Sequence, residues 1–278
     1  MLKSRYFAFI VIARPVNVLI GMLSIFIAAF ITGTLQPFNR VLFAVVSGGI
    51  ITAAANTIND YFDLAIDRVN KPYRPLPSGQ MSVTLALNLS IAEFFAGIIL
   101  SVFISRTAFL IASTISLLLF FYSFKLKRVP LWGNLAVSFA SAMAFIYGGV
   151  AVDRVSRTLI PAAFAFFYHF GRELIKDIQD MEGDARDQAK TFPLVFGKTA
   201  ALRLTTLNFL LLIIFIAIPF IFGWYGSAYF VVILIGVYPV LLFSIYRIWS
   251  NQSFASLGFV SNLLKADMLI GLLAIYLG

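Results

Sequence analysis

Residues 56–79, NTINDYFDLAIDRVNKPYRPLPSG, place Asn59, Asp60, Asp63 and Asp67 at the end of a long apolar run, with Arg68, Lys71 and Arg74 directly after. On an α-helix, steps of four bring Asn59, Asp63 and Asp67 within about 80° of one another, on one face. A second stretch at 168–192, YHFGRELIKDIQDMEGDARDQAKTF, carries Asp177, Asp180 and Asp184 at steps of three and four, within about 60° on a helix. Of the twelve acidic residues, three lie in the first stretch and six in the second (Glu173, Asp177, Asp180, Glu182, Asp184, Asp187), leaving Glu93, Asp153 and Asp267 elsewhere. Scattered surface charge does not distribute this way. Carboxylates beside a membrane-length apolar segment are costly unless paired, hydrated or bound to a metal. The pattern predicts a divided metal site.

An oxygen-only ligand set suits Mg²⁺ or Mn²⁺ rather than zinc or copper. Magnesium held by a few carboxylates completes its shell with water and substrate phosphate. The cations nearby (Arg68, Lys71, Arg74, Lys125, Lys127, Lys176 and Lys190) suit a polyanion, Lys as a point charge and Arg as a planar fork. At a membrane surface this combination points to a diphosphate with a greasy remainder, and an isoprenyl diphosphate fits. Metal neutralisation of the leaving diphosphate would favour C–O ionisation to an allylic cation.

The elements that must position these groups are membrane helices. The chain has 278 residues, 61% hydrophobic and 12% charged, too apolar for a soluble domain, which is typically about a quarter charged. Apolar runs predict an all-α polytopic membrane protein of about nine spans, near 16–33, 41–62, 82–104, 107–124, 131–151, 158–176, 200–222, 226–247 and 257–277. Residues 1–14 form an interfacial stretch, and no cleavable signal is evident. Zero cysteines exclude disulfides and thiolate chemistry. Alternating the loops puts sixteen Lys and Arg on one side against Arg40, Arg106, Arg154 and Arg157 on the other, with Lys265 inside the last span. That bias predicts a cytoplasmic amino terminus and both acidic stretches on the cytoplasmic side, able to face each other. The net charge of +9 is thereby assigned to topology, not nucleic acid. Each acidic stretch ends an even-numbered span, which suggests two four-helix halves (about 16–124 and 131–247) plus a last helix within one membrane domain.

NDYFDLAID matches the NDxxDxxxD motif of the UbiA-type intramembrane prenyltransferases, and DIQDMEGD resembles their second motif, DxxDxxxD. The resemblance covers almost the whole chain, including the RPLPSG segment. It implies a helical bundle around a central cavity with a cytoplasmic cap, the prenyl tail lying in a cavity open to the bilayer. It further implies Asn59, Asp63, Asp67, Asp180 and Asp184 as ligands of Mg²⁺, two ions bridging the diphosphate, with Asp63, Asp67, Asp180 and Asp184 essential to catalysis. Asp60 and Asp177 are expected as supporting residues, and Arg68, Arg74, Lys125 and Lys127 as diphosphate contacts. Lys71 and Lys176 join the substrate-binding set. VNKPYRPLPSG with ARPVN looks closest to archaeal digeranylgeranylglyceryl phosphate synthases. That implies transfer of geranylgeranyl from its diphosphate to the hydroxyl of geranylgeranylglyceryl phosphate, a lipid acceptor drawn from the bilayer. Aromatic prenyltransferases of quinone synthesis are the alternative.

Other readings stand beside these. The first stretch alone could be a solvated helix end, the second a hydrophilic loop, and Lys125, Lys127 and Arg128 mere topology determinants. Arg14 and Asn17, at a span entrance, are candidates for substrate contact or for a cap. Tyr122 and Tyr147 are candidates for stabilising an allylic cation. His169, Lys265 and Asp267 read as structural, and the glycines at 21, 48, 49, 148 and 149 as sites of close helix packing. A cation-coupled transporter is disfavoured because its charged sites belong near the midplane. The signature of CDP-alcohol phosphotransferases is absent.

Overall fold

The computed structural model describes residues 2–186 and 188–278, with side chains from Phe7 onward except at 69 and 70. Thirteen α-helices are present among them: α1 (Leu2–Ala13), α2 (Pro15–Phe30), α3 (Phe38–Phe62), α4 (Leu64–Asn70), α5 (Val83–Val102), α6 (Arg106–Phe124), α7 (Trp132–Ala151), α8 (Leu159–Arg186), α9 (Phe192–Phe196), α10 (Lys198–Ile221), α11 (Ser227–Val232), α12 (Tyr238–Ser250) and α13 (Phe254–Leu277). A π-helical segment, Ile233–Val237, joins α11 to α12. Among the described residues there is no strand. The chain is an all-α multi-pass membrane protein.

A helix occupies each of the nine expected span positions, but nine spans are not established. Among the described residues, seven helices are long and apolar enough to cross a bilayer: α3, α5, α6, α7, α10, the continuous Ser227–Ser250 and α13. An eighth crossing requires α1 and α2 together, bent by 53°. The bend has a local cause. Arg14 sits in the left-handed region at φ 53°, and Pro15 follows as the first residue of α2, where its missing N–H costs nothing. The helix at the sixth position, α8, is not among them, since Arg172, Glu173, Lys176 and Asp177 interrupt its apolar run.

Two compact units emerge. The first comprises Met1–Leu126 and Met143–Thr158, the second Lys127–Ala142 and Leu159–Gly278. In the first, Ile25, Ala44, Ile51, Ala54, Ile58, Phe94, Ala108 and Tyr147 form the core. In the second the core is built from Ile175, Ile178, Leu202, Phe209, Leu212, Leu241, Val260 and Leu264.

Within the first unit α2 and the end of α7 touch at backbone level. A Cβ on Gly148 would lie 2.2 Å from the Ile25 carbonyl oxygen and 2.8 Å from the Ala28 Cβ. Gly148→Ala forces the two helices apart, an overpacking that costs about 1–3 kcal/mol. A lower melting temperature in detergent is the expected result, and an unchanged one would refute the close approach.

Candidate functional site

The first acidic stretch straddles the joint between α3 and α4. Asn59 and Asp60 lie on the last turn of α3, Asp63 is the joint (φ −90°, ψ 3°), and Asp67 is on α4. The helical ladder survives the joint: Asp63 N–H donates to Asn59 O at 3.0 Å and Asp67 N–H to Asp63 O at 2.8 Å. The side chains nevertheless sort into two pairs. Asn59 Nδ2 donates to Asp63 Oδ2 at 2.8 Å, and both residues are half-buried. Asp60 and Asp67, seven apart and therefore within about 20° on a helix, are 3% and 2% exposed. Arg74 Nη1 bridges them, at 3.1 Å to Asp60 Oδ1 and 2.6 Å to Asp67 Oδ2. Arg14 also bonds Asp60 Oδ1.

Arg74 reaches back because its loop is pinned. Leu76 and Met81 bury against Ala8 and Ile12 of α1 and Ala86 of α5, and Met81 N–H donates to Pro75 O at 3.1 Å. Burial alone would lower the Arg74 pKa, but Asp60 and Asp67 more than offset it, and the guanidinium is held above its ordinary value. Burial raises the Asp67 carboxyl, with Arg74 opposing. The α1–α2 elbow is tied to the same place: Asn56 Nδ2 donates to Ala13 O at 2.8 Å, and Asn17 Nδ2 to Asn56 Oδ1 at 3.4 Å. Arg14 and Asn17 are thus engaged by α3.

The second acidic stretch is the C-terminal half of α8. Asp177 Oδ2 accepts from Asn134 Nδ2 of α7 at 2.8 Å. Burial pushes the Asp177 carboxyl up to about 8 against the pull of that hydrogen bond. Asp180 and Asp184 are half-buried, and Asp187 lies outside the described residues. One turn earlier Glu173, 5% exposed, accepts from Lys176 Nζ at 3.0 and 2.9 Å and from Arg172 Nη1 at 3.3 Å. Lys176 is therefore committed to Glu173. Among the described residues no three Asp, Glu or His side chains converge on one point.

Of the other expected contacts, Arg68 and Lys125 are exposed and Lys71, Lys127 and Tyr122 half-buried. Tyr147 is placed in the core of the first unit, 4% exposed, its hydroxyl 2.9 Å from Ser47 Oγ. Ser47 lies twelve residues before Asn59 on α3, about 18 Å along the axis at 1.5 Å per residue. Sequence reasoning passed over Asn134 and Asn56, which hold the acidic helices in place. The available signal was a polar amide at the end of an apolar run. Asp267, read from sequence as structural, accepts at Oδ2 from the Tyr168 hydroxyl at 2.8 Å.

The chain as a whole has counterparts among known proteins. The chain is 34% identical over 267 residues to a digeranylgeranylglyceryl phosphate synthase of Methanopyrus kandleri, covering 96% of this chain and 97% of that one. A solved structure described as giving insight into digeranylgeranylglyceryl phosphate synthase in membranes superposes with a TM-score of 0.78 at 29% identity, over 99% of this chain and 98% of the other. A UbiA homologue from Archaeoglobus fulgidus, solved with GPP and Mg²⁺, shares the fold (TM-score 0.67, 20% identity, 95% and 99% coverage). The model of the UbiA prenyltransferase family matches residues 18–263, from the second turn of α2 into α13 and across both acidic stretches. With nearly its whole length accounted for in this way, the chain belongs to the UbiA prenyltransferase family.

Proposed function

We propose that the protein transfers a geranylgeranyl group, with Mg²⁺, from geranylgeranyl diphosphate to the free hydroxyl of geranylgeranylglyceryl phosphate. The observation that carries this reading is the near full-length similarity to digeranylgeranylglyceryl phosphate synthases, with both acidic motifs present. Localisation follows from the same reading: a cell membrane, with the acidic helix ends on the cytoplasmic side as the Lys and Arg bias requires.

The residues fit magnesium. Asn59, Asp63, Asp67, Asp180 and Asp184 offer hard oxygen donors only, and Mg²⁺ needs no cage of three carboxylates because phosphate oxygens and water complete its shell. Asn59, Asp63 and Asp67 in the first stretch and Asp180 and Asp184 in the second would offer ligands to the metal, Asp67 only once released by Arg74. Bound Mg²⁺ would neutralise charge developing on the leaving diphosphate. The chain's own groups do the rest. Arg68, Lys71, Lys125 and Lys127 draw the diphosphate to the membrane surface, and Arg74 supplies a planar fork already turned toward the acidic residues. Apolar helices hold the prenyl tail away from water. The C1–O bond of the donor breaks, the acceptor oxygen bonds to C1, and the hydroxyl proton passes to the released diphosphate. Asp60 and Glu173 are poor bases for that step, being already engaged by cations.

The reading is tested with purified protein, Mg²⁺ and radiolabelled geranylgeranyl diphosphate, with geranylgeranylglyceryl phosphate and 4-hydroxybenzoate as competing acceptors. Label in a diether phosphate is expected. Label on the aromatic acid would overturn the acceptor and leave the chemistry standing.

A further inference from the structure

Asn134 has no part in the chemistry above, yet it is 5% exposed and spends its amide on Asp177. The chain around it is built with care. Leu131, three residues earlier, is left-handed at φ 65°, a conformation that costs a non-glycine residue about 1–2 kcal/mol. Its carbonyl still accepts from Leu135 N–H at 2.8 Å, so α7 starts from this turn. A costly backbone conformation kept beside a buried polar contact is the kind of strain that clusters at working sites. Ser138 Oγ donates to the Asn134 carbonyl at 2.5 Å, satisfying its backbone as well. A second tie lies six residues before Asn134, where Arg128 O accepts from Lys190 N–H at 2.9 Å. Residues 177 and 190 bracket Asp180 and Asp184. The acidic stretch is therefore fastened at both ends to one short segment, 128–134.

The first unit repeats the device. Arg14 is also left-handed, also stands where a helix begins, and also reaches an aspartate, Asp60, that adjoins rather than joins the Asn59–Asp63 pair. In each case the helix preceding the acidic helix starts at a left-handed residue and supplies the side chain that holds the adjoining aspartate. The first half uses a cation and the second a neutral amide.

We infer that Asn134 is a positioning residue: through Asp177 it fixes the roll of α8 and so aims Asp180 and Asp184. A roll of α8 by one residue would turn both carboxylates through about 100°, so a single hydrogen bond at the root of the stretch controls the whole row. The inference rests on the proposed function for what Asp180 and Asp184 bind, but not for the contact itself.

The test is a polarity swap in the full-length protein in lipid nanodiscs. Amide hydrogen exchange over residues 178–186 is read without ligand, and binding of Mg²⁺–geranylgeranyl diphosphate is read by calorimetry. Asn134→Asp removes the amide donor and sets two carboxyl groups against each other, and should weaken binding by about tenfold, the order of losing a buried hydrogen bond, with faster exchange. Asn134→Asp combined with Asp177→Asn reverses donor and acceptor, and should recover most of both losses. A double variant no better than Asn134→Asp alone overturns the inference, as does Asn134→Ala exchanging at the wild-type rate. Wild-type protein that binds no prenyl diphosphate defeats the proposed function instead, and the exchange arm still decides Asn134.

Discussion

Asp63→Ala and Asp180→Ala are each expected to lower kcat/KM for prenyl transfer by about 10²–10³-fold, the loss that follows removal of one preorganised electrostatic group. Both side chains are half-buried, so their loss leaves no cavity of consequence, and melting temperatures in detergent should stay near that of the parent. Chelation with EDTA should remove turnover and Mg²⁺ restore it. The measurement is label transferred from geranylgeranyl diphosphate, with substrate varied so that kcat and KM separate. Turnover that persists in either variant, or in chelator, would sink the metal reading. Asp60→Ala gives the contrast. Asp60 is bonded by Arg14 and Arg74 and almost wholly buried, so its removal should be felt first in stability.

Arg74→Ala should have the largest effect on stability itself. Asp60 and Asp67 are buried, and the Arg74 side chain that bridges them is only 20% exposed. Removing one partner of a buried ion pair costs about 3–5 kcal/mol because the other charge stays behind. For a chain of this size that lowers the melting temperature by on the order of 10 °C. Arg74→Lys should fall between, since a point charge cannot span two carboxylates as a planar fork does. Adding Asp67→Asn to Arg74→Ala should recover part of the loss by withdrawing the uncompensated charge. Wild-type melting in Arg74→Ala would show that the bridge contributes nothing. A double variant less stable than the single would show that Asp67 is held by something other than Arg74.

The helices themselves were legible because apolar runs of bilayer length leave few alternatives, and the segments at 38–62, 83–102 and 106–124 fall where periodicity put them. The Asn59–Asp63 pair was legible for the same reason: a step of four on a helix has one geometry. Asp67 was legible only as a member of that face. Its turn toward Asp60 depends on Arg74, and Arg74 depends on Leu76 and Met81 folding against Ala8 and Ile12. No local rule encodes a contact between residues 8 and 76. Asn134 was illegible for a related reason, since its partner lies 43 residues away. The span expected over 158–176 runs on without a break into the acidic stretch, whose spacing was read as helical. The helix continues to Arg186, helped by the Glu173–Lys176 pair at i, i+3.

That long, mixed helix has a consequence for how the protein is made. Only residues 159–171 of α8 are uniformly free of charge, about 20 Å of helix at 1.5 Å per residue, against a hydrocarbon layer of about 30 Å. Arg, Lys and Asp each resist entry by about 2.5–3.5 kcal/mol at mid-bilayer on the insertion scale. A newly made α8 therefore has no strong reason to enter lipid by itself. Beyond the pairs within α8, its polar atoms find partners that arrive separately: Asn134 from α7, synthesised before it, and from α13, synthesised after it, the Ser261 carbonyl, which accepts from Arg172 at 3.1 Å, and Asp267, which accepts from Tyr168. α8 is therefore expected to settle into lipid only once α7 and α13 lie beside it, so that the second acidic row would be seated by helices made before and after it.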